Sequence, residues 1–268
     1  MKTTFSLALI ALAITATLFS CRRSREREFG NGITTDDGTA ENLFGDVFKV
    51  VDEVSSSTEG IRENQIGCID TIMIDTLSTP RSVTIDFGSD DCVGNDGRVR
   101  KGILNITYTG RYREVGSVIT IVPENYTVDG YLIEGVKVIE NMGLNDLGQL
   151  HFSVMMDGRI TAPNNAWEIT WTANRTRTWV EGQSTPTIWD DAYTISGSGS
   201  GVNRNDIEYT TNITVPLRAE VGCRWIVSGE VTIDPDGYAE RFVDFGNGEC
   251  NNGIFVTVNG ETYTLGTE

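Results

Sequence analysis

The residues that could perform catalysis in this chain of 268 amino acids are few. His151 is the single histidine, and its apolar neighbours Leu150 and Phe152 predict a strand with His151 on the opposite face. A Ser/His/Asp arrangement would require this histidine, yet no segment near it resembles an activated nucleophile. We therefore predict no catalytic residue and no enzymatic activity.

Acidic residues occur in pairs, at positions 90 and 91, 190 and 191, and 234 and 236. Two carboxylates flanking a cleft are the requirement for glycoside hydrolysis. Because the chain has 38 acidic residues, such pairs arise without a function, and a hydrolase is the least favoured interpretation. The acidic turns lack EF-hand spacing, and the chain lacks zinc-ligand spacing, so we predict no metal and no cofactor.

Tryptophans are the strongest candidates for ligand binding. In the segment WEITWTANRTRTW, tryptophans and arginines alternate with mostly polar residues, which predicts a strand with one large apolar face. The simpler interpretation buries this face in the core. The alternative is an exposed platform that stacks sugar rings, formed by Trp171, Trp179 and Trp189. Arg175 and Arg177 share the tryptophan face, and we expect them to pair with acidic residues at an interface between repeats, since charges are rarely buried unpaired.

The N-terminus has the pattern of an export signal. Lys2 precedes the apolar run FSLALIALAITATLF, which is short for a membrane span and typical of a secretory signal peptide over residues 1–20. The following LFSC resembles the lipobox of bacterial lipoproteins. That resemblance implies that Cys21 is lipidated, that residues 21–38 form a tether, and that the rest of the chain lies outside the cytoplasm.

The four remaining cysteines lie in two copies of one pattern. Cys68 in IGCIDTIMID is followed by VTIDFGSDDC, which ends at Cys92, and Cys223 in VGCRWIVSGEVTID is followed by RFVDFGNGEC, which ends at Cys250. Each copy predicts a β-hairpin whose ends are joined by its own disulfide. We predict the pairs Cys68–Cys92 and Cys223–Cys250; free buried thiols or zinc ligands are the alternative.

Most of the chain predicts short strands separated by turns. Residues 60–268 are rich in valine, isoleucine and threonine, with turn residues about every ten positions. Related phrases such as ITYTGRYR and ITWTANRTR indicate degenerate internal repeats. The predicted fold class is all-β, an antiparallel sandwich or an elongated stacked-sheet module. One short helix is predicted over residues 39–56, because its apolar residues recur at helical spacing, and we expect it to pack on the sheet or its edge.

Taken together, TIDFG before a cysteine, DGRVRKGILNITYTGRYRE, NYTVDGYLIEGVKVIEN, RTRTWVEG, DDAYTISG and DFGNGEC resemble a family of uncharacterised β-rich outer-membrane lipoproteins of Bacteroidota. The resemblance extends over nearly all of residues 60–262. It implies a lipoprotein of the cell envelope, in the outer membrane, with its surface or periplasmic orientation open. The family supplies no reaction, ligand or catalytic residue.

The formal net charge of −17 argues against a nucleic-acid partner. The expected function is that of a lipid-anchored cell-envelope protein with a non-enzymatic binding or structural role. The alternative is a carbohydrate-binding accessory protein or adhesin that uses exposed tryptophans. The expected partners are the membrane, through the N-terminal lipid, and either a glycan or another envelope protein.

Overall fold

The computed structural model of the protein describes residues 32–58 and 66–266. The predicted signal peptide, Cys21 and residues 21–31 of the predicted tether lie outside the described residues. Within them, one α-helix, α1 (Ile33–Thr58), precedes fourteen β-strands, and a short 3-10 turn lies at Pro163–Asn165. The strands are β1 (Thr71–Asp75), β2 (Arg81–Asp86), β3 (Cys92–Val93), β4 (Val99–Tyr108), β5 (Val118–Val128), β6 (Tyr131–Leu144), β7 (Leu150–Thr161), β8 (Glu168–Glu181), β9 (Ala192–Val202), β10 (Glu208–Glu220), β11 (Ile226–Pro235), β12 (Arg241–Asn247), β13 (Ile254–Val258) and β14 (Glu261–Leu265).

All fourteen described strands belong to one antiparallel sheet. The order is β1-β2-β4-β5-β6-β7-β8-β9-β10-β11-β12-β13-β14, and β3 pairs only with β4. The predicted all-β fold is confirmed. The strands do not divide into the two sheets of a sandwich, because each strand from β4 to β14 is hydrogen-bonded to the next one along the chain in one continuous sheet. The inner face of the sheet packs on the helix instead of on a second sheet.

The sheet curls around α1. Arg100 of β4 donates to Asp46 at 2.5 Å, and Arg175 of β8 donates to Glu41 at 3.0 Å. Strands β4 and β8 are four strand spacings apart, about 19 Å in a flat sheet, whereas the helix is only about 10 Å wide. Both strands reach helix residues within about 8 Å along the axis, so the sheet must curve. From residue 32 to residue 55, only Thr35 is exposed.

The helix is longer and more deeply buried than the sequence predicts. It begins at Ile33 and ends at Thr58, so it includes the last six residues of the predicted tether. Because Thr34, Thr35 and Gly38 are weak helix formers, the sequence does not predict the first turn of the helix. The apolar residues of α1 and of the sheet form one hydrophobic cluster, which makes the helix the centre of the domain. No helix within the described ranges is long and apolar enough to cross a membrane.

Both predicted disulfides are confirmed. Cys68 precedes the β1–β2 hairpin and Cys92 follows it, with 5.3 Å between their Cα atoms. Cys223 precedes the β11–β12 hairpin and Cys250 follows it, with 5.7 Å between their Cα atoms. The repeated sequence pattern therefore corresponds to two cystine-closed hairpins near opposite ends of the sheet.

Candidate functional site

One face of α1 forms the floor of a cleft that opens to solvent. Asn42, Gly45, Asp46 and Lys49 recur at i, i+3, i+4 and i+7, so they lie along one side of the helix. These residues line a space of about 390 Å³, which we call the helix cleft. Its walls come from the β3–β4 turn and from the segment between β10 and β11, and Trp189 of the β8–β9 loop completes it.

Two side chains of the floor connect the walls. Lys49 Nζ lies 3.0 Å from Asp96 Oδ2 on one wall and 3.3 Å from the carbonyl oxygen of Val221 on the other. Seven residues earlier, Asn42 Oδ1 accepts from Arg98 Nη2 at 2.5 Å. Its Nδ2 donates to a carbonyl of the β10–β11 segment at 2.6 Å. The spacing of the walls is therefore set by contacts from the helix.

The two disulfides brace the two walls. Cys92 opens β3, and the turn that follows carries Asn95, whose backbone N–H donates to the carbonyl of Ile66 at 2.8 Å. Cys223 lies in the opposite wall and is joined to Cys250. Each copy of the repeated cystine hairpin thus supports one side of the same cleft.

The carboxylates beneath the cleft are held by arginines. Arg100 is fully buried, and its Nη2 lies 2.5 Å from Asp46 Oδ1 and 2.7 Å from Asp96 Oδ2. Arg98 Nε lies 3.3 Å from Asp46 Oδ1. Burial alone would raise the pKa of Asp96, but the hydrogen bond and charge of Arg100, together with Lys49, hold that pKa well below its usual range. Asp96 is therefore ionised across the physiological range.

The three predicted platform tryptophans do not lie on one exposed surface. Trp171 and Trp179 are core residues with 2% and 1% exposure, which excludes them from an exposed platform. The ring of Trp171 stacks on Phe44 of α1, and its Nε1 donates to Asp37 Oδ1 at 2.9 Å. Their strand faces inward, so the simpler interpretation of the alternating pattern is the one observed.

Trp189 is 36% exposed and lines the helix cleft, with Lys49 Nζ 5.1 Å from its ring centre. A second tryptophan of the cleft, Trp225, is 38% exposed and was not predicted. No local sequence signal marks Trp225, because the floor of the cleft comes from helix residues far away in the chain, such as Asn42, which contacts Arg224 across 182 positions. The cleft therefore has two partly exposed indole rings.

Of the two arginines of β8, Arg175 pairs with a carboxylate of the helix, and Arg177 packs between aromatic rings of the helix and of β9. Arg175 Nε and Nη2 both donate to Glu41 Oε2, at 3.2 and 3.0 Å. Arg177 lies between the rings of Phe48 and Tyr193, with its guanidinium carbon 4.0 Å from each ring centre. Burial lowers the pKa of Arg177. The prediction of a repeat interface was wrong because the inner face of the sheet meets α1.

The remaining candidates for chemistry lie apart from the cleft. His151 is half-buried on β7, and its Nδ1 is 3.0 Å from the carbonyl oxygen of Gly143. Among the acidic pairs, Asp91 contacts the exposed Lys101 at 2.8 Å and Asp190 accepts from Thr185 at 2.8 Å. Within residues 32–58 and 66–266, no group of three or more acidic, histidine or cysteine side chains could hold a metal ion.

The helix cleft combines flat apolar surfaces with fixed charges. Trp189 and Trp225 offer ring faces, while Lys49, Arg98 and Asp96 offer donors and acceptors whose positions are fixed by ion pairs. Such a site can bind a ligand that has both hydroxyl groups and apolar faces. Comparison with protein-family models, with curated proteins and with solved structures finds no match for this chain.

Proposed function

We propose that this protein is a non-enzymatic, ligand-binding lipoprotein of the cell envelope and that its helix cleft holds a saccharide. The observation that supports a saccharide most directly is the placement of Trp189 and Trp225 on one polar cleft. A sugar presents flat C–H faces that pack on indole rings. Its hydroxyl groups pair with carboxylate, amide and guanidinium groups, which are the polar groups of this cleft.

The size of the cleft supports a small ligand. Its volume of about 390 Å³ falls within the range of small-molecule sites, which is roughly 300–1,000 Å³. The ion pairs Lys49–Asp96 and Arg98–Asp46 hold the floor in place before a ligand arrives. Binding to a preorganised site loses less conformational entropy, so a rigid cleft favours affinity.

The protonation of the cleft argues for binding without hydrolysis. A glycosidase needs one carboxylic acid whose pKa is raised, so that it can donate a proton. Asp96 has the opposite property, because Arg100 and Lys49 lower its pKa. Burial does raise the pKa of Asp37 to about 6, but this residue bonds Trp171 and does not line the cleft.

The location in the proposal comes from the sequence. The lipobox-like LFSC supports a lipid on Cys21, and the two disulfides are typical of an oxidising compartment outside the cytoplasm. The partners in this proposal are the outer membrane, through the lipid, and a glycan of the envelope or its surroundings. The net charge of −17 opposes nucleic-acid binding.

A glycan array with the purified, oxidised protein tests the saccharide. We expect binding to a limited set of glycans that is lost in Trp189→Ala and in Trp225→Ala. Phe242→Ala is the matched control, because Phe242 is an exposed aromatic residue on the outer side of β12 and does not line the cleft. Binding that survives both tryptophan variants, or that Phe242→Ala removes equally, would contradict the proposed site.

A further inference from the structure

Next to the floor of the helix cleft lies a second, smaller space of about 30 Å³. We call it the basic cavity, because Lys137, Arg175 and Arg177 line it together with Glu41 and Gly45. All three basic side chains are at least nine-tenths buried. When Lys137 is protonated, the lining has three positive charges against one negative charge, which leaves an excess of two positive charges.

The register of the sheet explains why these groups converge. Lys137 of β6 is opposite Met156 of β7, which is opposite Ala173 of β8. Arg175 and Arg177 are the next residues of β8 on the same inward face. Because Ala173 is small and Gly45 lies above it on the helix, a void remains between the long basic side chains.

Two guanidinium nitrogens of the arginines that line this cavity have no hydrogen-bond partner among the described residues. They are Nη1 of Arg175 and Nε of Arg177. A buried donor of a charged group that lacks a partner is unfavourable, so such donors favour an acceptor group beside them. A cavity lined by arginines with unsatisfied donors and by excess positive charge has the properties of an anion-binding site.

The basic cavity is adjacent to the helix cleft. Glu41, Gly45, Arg177 and Ile195 line both spaces. A Cβ atom added at Gly45 would meet no atom within 4 Å. The absence of a side chain at Gly45 therefore leaves an opening between the cleft and the cationic groups below it.

We propose that the basic cavity receives a carboxylate group of the bound ligand, which enters past Gly45 and pairs with Arg175, Arg177 and Lys137. This inference rests on the proposed binding function of the cleft and specifies its ligand class as acidic sugars, with uronic acids as the simplest members. A volume of 30 Å³ holds about two to three water-sized groups, which suits a carboxylate and excludes a whole sugar ring. The planar fork of an arginine matches the two oxygens of a carboxylate.

Lys137 makes binding depend on pH. Its Nζ donates a hydrogen bond to the carbonyl of Phe44. Burial, and then the positive charge of Arg177, lower the pKa of Lys137 to about 7, while the negative charges of Glu41 and Asp46 oppose this shift. Arg175 also faces it across the cavity. A carboxylate favours the protonated amine, so binding takes up a proton. We expect the affinity to fall about tenfold between pH 6 and pH 8 as the amine loses its charge.

Isothermal titration of the oxidised protein tests this inference, with D-glucuronate, D-glucose and acetate as probes in a buffer free of other carboxylates and phosphate. At about pH 6, we expect glucuronate to bind at least about tenfold more tightly than glucose. Equal affinity for the two sugars would overturn the carboxylate site and leave the proposed function intact. Acetate binding without any sugar binding would support the anion site and contradict the saccharide function. No binding of any probe at about 10 mM would overturn both proposals.

Three variants locate the carboxylate. Arg177→Met and Gly45→Leu should each weaken glucuronate binding by at least about tenfold, and Lys137→Met, at a residue that lines only the basic cavity, should weaken it at about pH 6 while glucose binding changes little. Lys137→Met should remove the pH dependence of binding. This variant should still fold, because it replaces an unfavourable buried charge with an apolar side chain of similar length, so a loss of binding cannot be attributed to unfolding. Gly38→Ala is the control for Gly45, since both are helical glycines with nothing within 4 Å of an added Cβ, and Gly38 lines neither space. Unchanged glucuronate affinity in Arg177→Met and Lys137→Met would overturn the inference.

Discussion

Two aspartates of α1 should respond in opposite ways to the same substitution. Asp37 accepts one hydrogen bond from Trp171 at 2.9 Å, and burial raises its pKa from 3.8 to about 6. The folded state therefore holds this proton at pH values where the unfolded chain has lost it. The proton on Asp37 therefore stabilises the folded state fully below about pH 4. This stabilisation is lost as the pH rises through about 6, because the raised pKa is that of the folded state.

The size of the change in the free energy of unfolding follows from the shift in the pKa of Asp37. A change of about two pKa units corresponds to about 3 kcal/mol at neutral pH. Asp37→Asn keeps an oxygen for the Trp171 N–H but removes the buried charge, and its amide group needs new partners. We expect the free energy of unfolding to rise by about 1–3 kcal/mol at pH 7.5 and the gain to disappear near pH 4.

Asp46→Asn is the contrasting change on the same helix. Asp46 holds Arg100 and Arg98 at 2.5 and 3.3 Å, and removing one partner of a buried ion pair costs about 3–5 kcal/mol. Urea unfolding of the oxidised proteins, followed by far-UV circular dichroism at several pH values, measures both variants. The reasoning fails if Asp37→Asn is destabilising at pH 7.5, if its effect is independent of pH, or if both variants shift stability in the same direction.

Three further expectations concern the scaffold and the cleft. Replacing Cys223 and Cys250 together by alanine should lower the free energy of unfolding by about 3–4 kcal/mol in the chain-entropy model, measured by urea unfolding, and peptide mapping of the unreduced native protein should recover this pair. Gly102→Ala should lower the free energy of unfolding by more than about 2 kcal/mol, because φ is +82° and the new Cβ would lie 2.2 Å from a backbone oxygen of β5. Gly38→Ala should raise the free energy of unfolding by about 0.5–1 kcal/mol, because alanine is the better helix former. Urea unfolding measures both changes. Trp189→Phe should reduce the fraction of tryptophan fluorescence that acrylamide quenches, since this ring is partly exposed, and an unchanged quenching curve would contradict its place in the cleft.

Much of the scaffold follows from local signals in the sequence. The disulfide pairing could be predicted because each cysteine pair closes one hairpin, and the hairpin pattern occurs twice. The inward face of β8 could be predicted because Trp171 and Trp179 share a parity with other large residues. These signals act within about thirty residues, over which strand alternation and turn chemistry decide the structure.

The position of the helix depends on contacts that are distant along the chain. Asp36 pairs with Arg204, which is 168 residues away, and Arg175 pairs with Glu41 at a separation of 134 residues. The apolar face of α1 predicted packing on the sheet or its edge, but nothing in the sequence of the helix indicates that its acidic residues are buried as well. The sequence did not predict the floor of the cleft for the same reason. Asn42 and Lys49 have the character of ordinary surface residues, and their partners in the walls lie in distant parts of the chain.

The buried ion pairs between α1 and the sheet are better understood as constraints on position than as sources of stability. The desolvation of two charges offsets most of their attraction, so an apolar interface of equal volume would be about as stable. The pairs Asp36–Arg204, Glu41–Arg175 and Asp46–Arg100 occur at five-residue intervals along the helix, about 7.5 Å apart. Sliding the helix by one turn would leave Arg100 buried without Asp46, at a cost of about 3–5 kcal/mol, whereas an apolar helix in a curled sheet would meet no such barrier. Because Gly45 lies between Glu41 and Asp46, the same contacts that fix the helix also fix the opening above Arg177.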